Sequence, residues 1–374
     1  MKQRIVSLLL LLLFTAAPAV AASRKPDSLA VKIGQMIMVG FRGLDAGNEP
    51  RLADDIRKRH IGGVVLFDYD VASASPVRNI ESAAQVTRLV DELQAMAPIP
   101  LFVAIDQEGG RICRLKPARG FPRSVSAAHL GRLDNADSTR LAAGATAALL
   151  RSLKINMDFA PDVDLNTNPD NPVIGRLDRS FSENPDVVTR QAGLFVDEFH
   201  KAGIVPVLKH FPGHGSSTQD THKDFTDVTA TWSKTELEPY RNLVRDGYDD
   251  AVMTAHVFNA GLDSLHPATL SKSVIGGLLR GKVGFRGVVF SDDMQMKAIS
   301  GRYGLDTAIR LAIQAGVDIL LFGNNAAAYD PEIAEKATVI IRKLVKGGIV
   351  PQQRIDASYR RIMNLKQRFL IPRQ

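Results

Sequence analysis

Residues 204–222 read IVPVLKHFPGHGSSTQDTH: an apolar, β-branched run stops at Lys209 and His210 and passes into a Pro- and Gly-rich loop holding His214, Asp220 and His222. A short strand buried on both faces and ending in ionisable side chains is typical of a parallel α/β sheet, where chemistry gathers at the carboxyl ends of the strands. Working outward, the same pattern recurs. Candidate strands lie at Met36–Phe41, Gly63–Phe67, Leu101–Ile105, Asn156–Phe159, Ile204–Leu208, Ala251–Ala255, Gly287–Phe290 and Asp318–Phe322. Helical periodicity fills the gaps at Ser75–Ala95, Ser138–Leu153, Pro185–Ala202, Lys234–Asp246, Ser271–Gly281 and Asp306–Ala315, and two further helices, near Pro331–Lys346 and Pro351–Phe369, close the chain. Eight strand-helix units predict a single-domain (β/α)8 TIM barrel over residues 22–374 rather than a doubly wound sheet, which ordinarily uses five or six strands.

The 374 residues are 45% hydrophobic and 23% charged, which excludes a disordered chain, a collagen-like repeat and a many-span membrane protein. The net charge of +7 is scattered, without aromatic interleaving or a nucleic-acid-binding module, so no nucleic-acid partner is expected. Cys113 is the sole cysteine, which rules out an intrachain disulfide and a thiolate zinc cluster; a buried packing role is its default. At the N-terminus, Lys2 and Arg4 precede an apolar run from Ile5 to Phe14 and a small-x-small site at Ala19-Val20-Ala21. This predicts a signal peptide over residues 1–21, because the apolar run is short of the ~20 residues that span a bilayer. The mature chain is expected to be periplasmic or secreted, monomeric, and without a stable membrane anchor.

A barrel directs attention to the residues at the exit of each strand: Asp106 after the third, Asp158 and Asp162 after the fourth, Lys209 and His210 after the fifth, His256 after the sixth, and Asp292 with Asp293 after the seventh. The clustered His210, His214 and His222 suggest either a metal or acid-base work, but Pro212, Gly213 and Gly215 argue against the helix that a His-x-x-x-His metal pair needs. No metal and no cofactor are expected. Asp220 and His222, two apart in an extended loop, can share a hydrogen bond that fixes the imidazole tautomer and stabilises its protonated form, although Asp220 is also a good turn cap. Of the adjacent aspartates, Asp293 suits a helix cap and Asp292 is left to face the barrel mouth as a nucleophile or ligand. In Asp106-Gln107-Glu108-Gly109-Gly110-Arg111, Asp106 with Arg114 suits either a clamp for hydroxyl groups or a structural ion pair.

Together these motifs resemble glycoside hydrolase family 3, specifically its bacterial β-N-acetylglucosaminidase (NagZ-type) branch, from about Ser28 to Gln374. The resemblance rests on IDQEGGR at 105–111, KHFPGHG at 209–215 followed by Asp220-Thr221-His222, VMTAH at 252–256 and FSDD at 290–293. It implies Asp292 as nucleophile, His222 as acid-base and Asp220 as its partner, with Asp106, Arg114, Lys209, His210 and an arginine holding the sugar. That arginine belongs to an Ile-Gly-x-Arg-Ser-Phe motif that reads IGRLDRSF at 174–181, two residues longer than usual; Arg179 is the choice and Arg176 the alternative. The implied activity is retaining exo-hydrolysis of a terminal β-linked N-acetylglucosamine from a cell-wall or related glycan. A β-glucosidase or a phosphorylase of the same family is the alternative, and a non-catalytic periplasmic sugar-binding protein is the alternative outside the class. Many family 3 glucosidases use a second domain at the site, whereas this chain is expected to supply its proton donor from the Asp220–His222 loop.

Overall fold

A computed structural model describes residues 28–47 and 49–371; the signal peptide expected at 1–21 lies outside the described residues. Eight parallel strands follow one another around a ring: β1 (Ile37–Gly40), β2 (Gly63–Val65), β3 (Phe102–Ile105), β4 (Met157–Asp158), β5 (Val205–Phe211), β6 (Ala251–Thr254), β7 (Val288–Phe290) and β8 (Leu320–Phe322). Each pairs with the next, and β8 returns to β1 with Val39 opposite Phe322. Between β7 and β8 the ring closes through a single bridge, Phe290 to Ile319, flanked by the amides of Asp318 and Ile319, both donating to the Val289 carbonyl. The expected (β/α)8 barrel is the fold, and every strand falls on one of the eight runs picked out from sequence, most by β-branched content and the fourth by Met157 and Phe159 alone. Parallel strands covered by helices have two apolar faces, and every residue of β1, β2, β3 and β6 is buried.

The helix Pro185–Ala202 shows how the outer layer forms. Asn184 caps it by accepting from the Asp186 amide, Pro185 occupies the first turn where no amide partner is needed, and Gly203 ends it at φ +72°. Its buried Val188, Ala192, Phe195 and Phe199 recur at intervals of three and four, so one stripe meets the barrel and the helix Ala136–Ser152. Phe181, Phe195 and Phe199 follow one another edge to face at 5.7 and 5.9 Å. Burying such a ring contributes about 1.5–3 kcal/mol, and cutting Phe199 back to Ala would cost ~3–5 kcal/mol through the cavity left behind.

Three helix expectations need correction. The helix expected at Ser75–Ala95 begins only at Ala83, capped by Ser82, because Arg78 and Asn79 are committed to the loop before it: Asn79 donates to the Phe41 carbonyl and accepts from the Phe67 amide. The segment Lys234–Asp246 is a 3-10 turn, Lys234–Leu237, leading into a helix at Glu238–Arg245. Ser271–Gly281 is shifted to a wider, π-type helix at Ser273–Val283. Short helices at Ser28–Gln35, Pro50–Arg57 and Ala127–Leu133 are additional to the sequence reading. Among the described residues no helix is long and apolar enough to cross a membrane.

Candidate active site

The strand exits surround a cavity of about 330 Å³ at the carboxyl end of the barrel. Asp106, Arg114, Arg179, Lys209, His210, His222 and Asp292 all line it, so seven of the eight residues singled out from sequence converge there; Asp220 stands behind His222 as its hydrogen-bond partner. Consecutive strand residues ordinarily face opposite sides. Here Lys209 and His210 both turn inward, because the β5–β6 ladder shifts register between Leu208 and Phe211. The loop after β5 is drawn tight against the one after β4, where a Cβ on Gly215 would sit 1.7 Å from the Leu165 carbonyl oxygen. Only glycine permits that approach.

One wall is a shelf of paired charges. A hairpin joining Gln107–Gly109 to Ile112–Cys113 follows β3, so Asp106 and Glu108, two apart, fall on the same face. Lys209 Nζ lies 2.8 Å from Asp106 Oδ1 and 2.7 Å from Glu108 Oε1. Arg114 Nη2 donates to Asp106 Oδ2 at 3.1 Å. Arg179 binds Glu108 with Nε to Oε2 at 2.8 Å and Nη2 to Oε1 at 2.7 Å. Burial alone would raise the Asp106 and Glu108 carboxyls, but Lys209 with Arg114, and Arg179 with Lys209, hold them below the usual carboxylate range. On the other face of the hairpin, Gln107 Nε2 lies 3.1 Å from Cys113 Sγ, and the buried Cys113 thiol donates to the Leu115 carbonyl at 3.1 Å.

His210 is oriented from behind. Its Nδ1 lies 2.7 Å from Asp164 Oδ2, while its Nε2 meets Arg179 Nη2 at 3.3 Å. A guanidinium only donates, so Nε2 accepts and Nδ1–H points at Asp164. Burial would raise the Asp164 carboxyl, but His210 and His214 bring it down to about 2. Asp162, Asp164 and His210 place ligand atoms within 4.8 Å of one another. Arg179 Nε stands 3.3 Å from Asp162 Oδ2, so a fixed cation already occupies the edge of that group. Burial raises the Asp158 carboxyl to about 8, and it accepts the Gln107 amide rather than lining the cavity.

Opposite the shelf, Asp292 extends from β7. Burial would raise its carboxyl, but His256, His210 and His222 outweigh this and keep it below its ordinary value, so it is ionised at neutral pH. Its neighbour Asp293 does not cap the following helix as expected, because the helix Lys297–Ser300 starts from Met296 without a side-chain cap; Asp293 instead also lines the cavity and accepts from the amides of Gln295 and Gly323 at 3.0 Å each, tying the exit of β7 to that of β8. His256 lies outside the cavity and holds the Asp293 carbonyl through Nε2 at 2.9 Å. On the β5 loop, Asp220 Oδ1 meets both the amide and Nδ1 of His222 at 2.9 Å, so Nε2 is left for the cavity. The His222 side chain stands 65% exposed at the cavity mouth; partial desolvation there would lower its imidazole, but that bond and the charge of Asp292 raise it above its usual value. His214 pins the loop through Ser217 and Thr221, and burial brings it down to about 4, leaving it neutral.

The choice between two arginines is clear in space. Arg179 enters the cavity, whereas Arg176 pairs with Asp170 on the exposed surface at 3.2 Å. Sequence reasoning passed over Glu108, the residue that Arg179 and Lys209 share; its spacing from Asp106 in the strand-exit hairpin is the signal that finds it. It also passed over Phe67, Asp68 and Tyr69, which line the cavity at the exit of β2.

A (β/α)8 barrel whose mouth sets an ionised carboxylate and a carboxylate-bound imidazole opposite a shelf of paired charges has the make-up of a glycoside hydrolase. The chain belongs to glycoside hydrolase family 3: residues 28–365 match the description "Glycosyl hydrolase family 3 N terminal domain". It is 36% identical over 296 residues to a protein named "Beta-hexosaminidase" from Tolumonas auensis, covering 78% of this chain and 83% of that protein. It is 32% identical over 391 residues to "Beta-hexosaminidase A" of Pseudoalteromonas piscicida, covering 94% of this chain and 63% of that protein. Among solved structures, the family 3 β-N-acetylglucosaminidase from Paenibacillus sp. str. FPU-7 superposes with a TM-score of 0.83 at 37% identity, covering 93% of this chain and 64% of that one. The chain thus spans just under two thirds of the Pseudoalteromonas and Paenibacillus proteins.

Proposed function

We propose that this protein is an exported, retaining exo-β-N-acetylglucosaminidase that removes terminal non-reducing N-acetylglucosamine from cell-wall fragments or related glycans. The observation that carries the reading is the pair facing one cavity: ionised Asp292, and His222 held through Nδ1 by Asp220. Asp292 attacks the anomeric carbon while protonated His222 gives its Nε2 proton to the departing oxygen, leaving a glycosyl-aspartate ester. Neutral His222 then takes a proton from water, whose oxygen displaces Asp292 and restores the starting configuration. Asp106, Arg114, Lys209, His210 and Arg179 hold the sugar hydroxyls. The names of the relatives support the acetamido sugar, and residues 2–21 support export.

The test compares 4-nitrophenyl β-N-acetylglucosaminide with the matching β-glucoside, with and without chelator and phosphate. Preference for the acetamido sugar, unaffected by chelator and giving no sugar 1-phosphate, is expected. Asp292→Ala should lower kcat by about 10³-fold or more, and added azide should then attack from the vacated face to give the α-glycosyl azide. Near-normal turnover by Asp292→Ala sinks the assignment, and tight sugar binding without product by the unmodified protein points to a binding protein.

A further inference from the structure

The exit of β2 carries a feature that the hydrolytic steps do not use. From Phe67 to Val71 the chain bends along the cavity wall: Phe67, Asp68, Tyr69 and Val71 all line the cavity, while Asp70 turns away from it. Phe67 is half-buried, Tyr69 is 42% exposed and Val71 49% exposed, so the strip climbs from the interior to the rim. Large apolar side chains left in water at a cavity mouth mark a surface that a ligand covers.

The strip is also held rigid. Asp70 is 2% exposed and receives Arg42 through two contacts, Nε to Oδ2 at 2.8 Å and Nη2 to Oδ1 at 2.9 Å, with Arg78 closing on the same carboxylate. These arginines hold its carboxyl well below the usual range, so the anchor stays charged. On the far side, Asn325 after β8 spans the segment, donating to the Tyr69 carbonyl at 3.0 Å and accepting the Val71 amide at 2.9 Å. An exposed aromatic ring carried on so firmly tied a loop costs little ordering entropy when something stacks on it.

We infer that Tyr69, with Val71 beside it, is the platform for the first sugar ring of the leaving group, so the enzyme selects oligosaccharides over glycosides with small aglycones. This rests on the glucosaminidase reading above. The terminal residue occupies the charged shelf, and the chain beyond the scissile oxygen must leave through the mouth, where the strip ends. A pyranose presents a C–H face on one side and hydroxyls at its edge. The flat apolar ring of Tyr69 matches the former, and its hydroxyl can meet the latter.

The experiment measures kcat/KM for N,N′-diacetylchitobiose and for N-acetyl-β-glucosaminyl fluoride, whose leaving group has no ring. Tyr69→Ala is expected to lower the chitobiose-to-fluoride ratio by about tenfold, and Tyr69→Phe, which keeps the ring, by less than about threefold. An unchanged ratio in Tyr69→Ala overturns the platform, as does a ratio that falls equally in Tyr69→Phe. Hydrolysis of the fluoride by the unmodified protein tests the parent reading separately, and failure to cleave either sugar defeats both.

Discussion

Arg179 grips Glu108 by both carboxylate oxygens, at 2.7 and 2.8 Å, and the oxygen nearer its Nη2 also receives Lys209 at 2.7 Å. Two buried cations thus depend on one carboxylate that lies off the expected substrate list. Glu108→Gln keeps the shape and removes the charge, leaving Arg179 and Lys209 short of a partner. The expected cost is about 3–5 kcal/mol of stability, with kcat/KM down by about a hundredfold as the shelf loses its alignment. Because the folded carboxyl sits below its ordinary value, its contribution is complete above the unfolded pKa of ~4.3 and fades as pH falls through the folded value. Urea unfolding of both proteins at neutral and acid pH checks this: the gap between them should narrow only in acid.

Turnover by the proposed route needs Asp292 ionised and His222 protonated, so kcat/KM rises through the first group and falls through the second as pH increases. Asp220 helps to raise the imidazole. Asp220→Asn removes that charge, so the alkaline limb should move to lower pH while the acid limb, set by Asp292, stays in place; the maximum should drop by about ten- to a hundredfold. A pH profile with an unmoved alkaline limb rules out His222 as the proton donor.

At the opposite end of the barrel, Asp318 precedes β8 and joins three arginines to the β7–β8 seam. Its Oδ2 accepts from Arg280 at 2.7 Å and from the Val289 amide at 3.0 Å, and its Oδ1 from the Ser358 hydroxyl at 2.6 Å and from Arg361 at 3.1 Å, with Arg354 3.4 Å away. Asp318→Asn should cost about 3–5 kcal/mol by stranding partly buried guanidinium groups. KM should not change, because none of these residues lines the cavity. Chemical denaturation read beside steady-state kinetics separates the two effects.

The strands were legible because a barrel strand is written in its own few residues: Val64-Val65, Phe102–Ile105 and Val288–Phe290 are apolar on both faces and need no partner to be recognised. The helix expected from Ser75 misled for the opposite reason. Arg78 and Asn79 fit a helical pattern, but their side chains are spent on Asp70 and on the Phe41 carbonyl, partners outside any helical repeat. The site shows the same division. Asp220 and His222 lie two residues apart and make the bond their spacing suggests, whereas the worth of Glu108 depends on Arg179, 71 residues away, and no local pattern contains that meeting. The two extra residues in 174–181 left Arg176 and Arg179 open; the turn at Gly175–Leu177 carries Arg176 out to solvent and Arg179 in toward Glu108.

Cys113 has a consequence of a different kind. Its sulfur is shut behind the hairpin that sets Asp106 and Glu108 side by side, engaged with Gln107 and the Leu115 carbonyl. The folded chain therefore has no thiol to exchange with its surroundings, and an oxidising medium finds nothing on it to couple. The same burial makes the sulfur a built-in witness to the state of the site: a maleimide or other alkylating reagent can mark only those molecules in which the hairpin has come apart, and with it the shelf of paired charges.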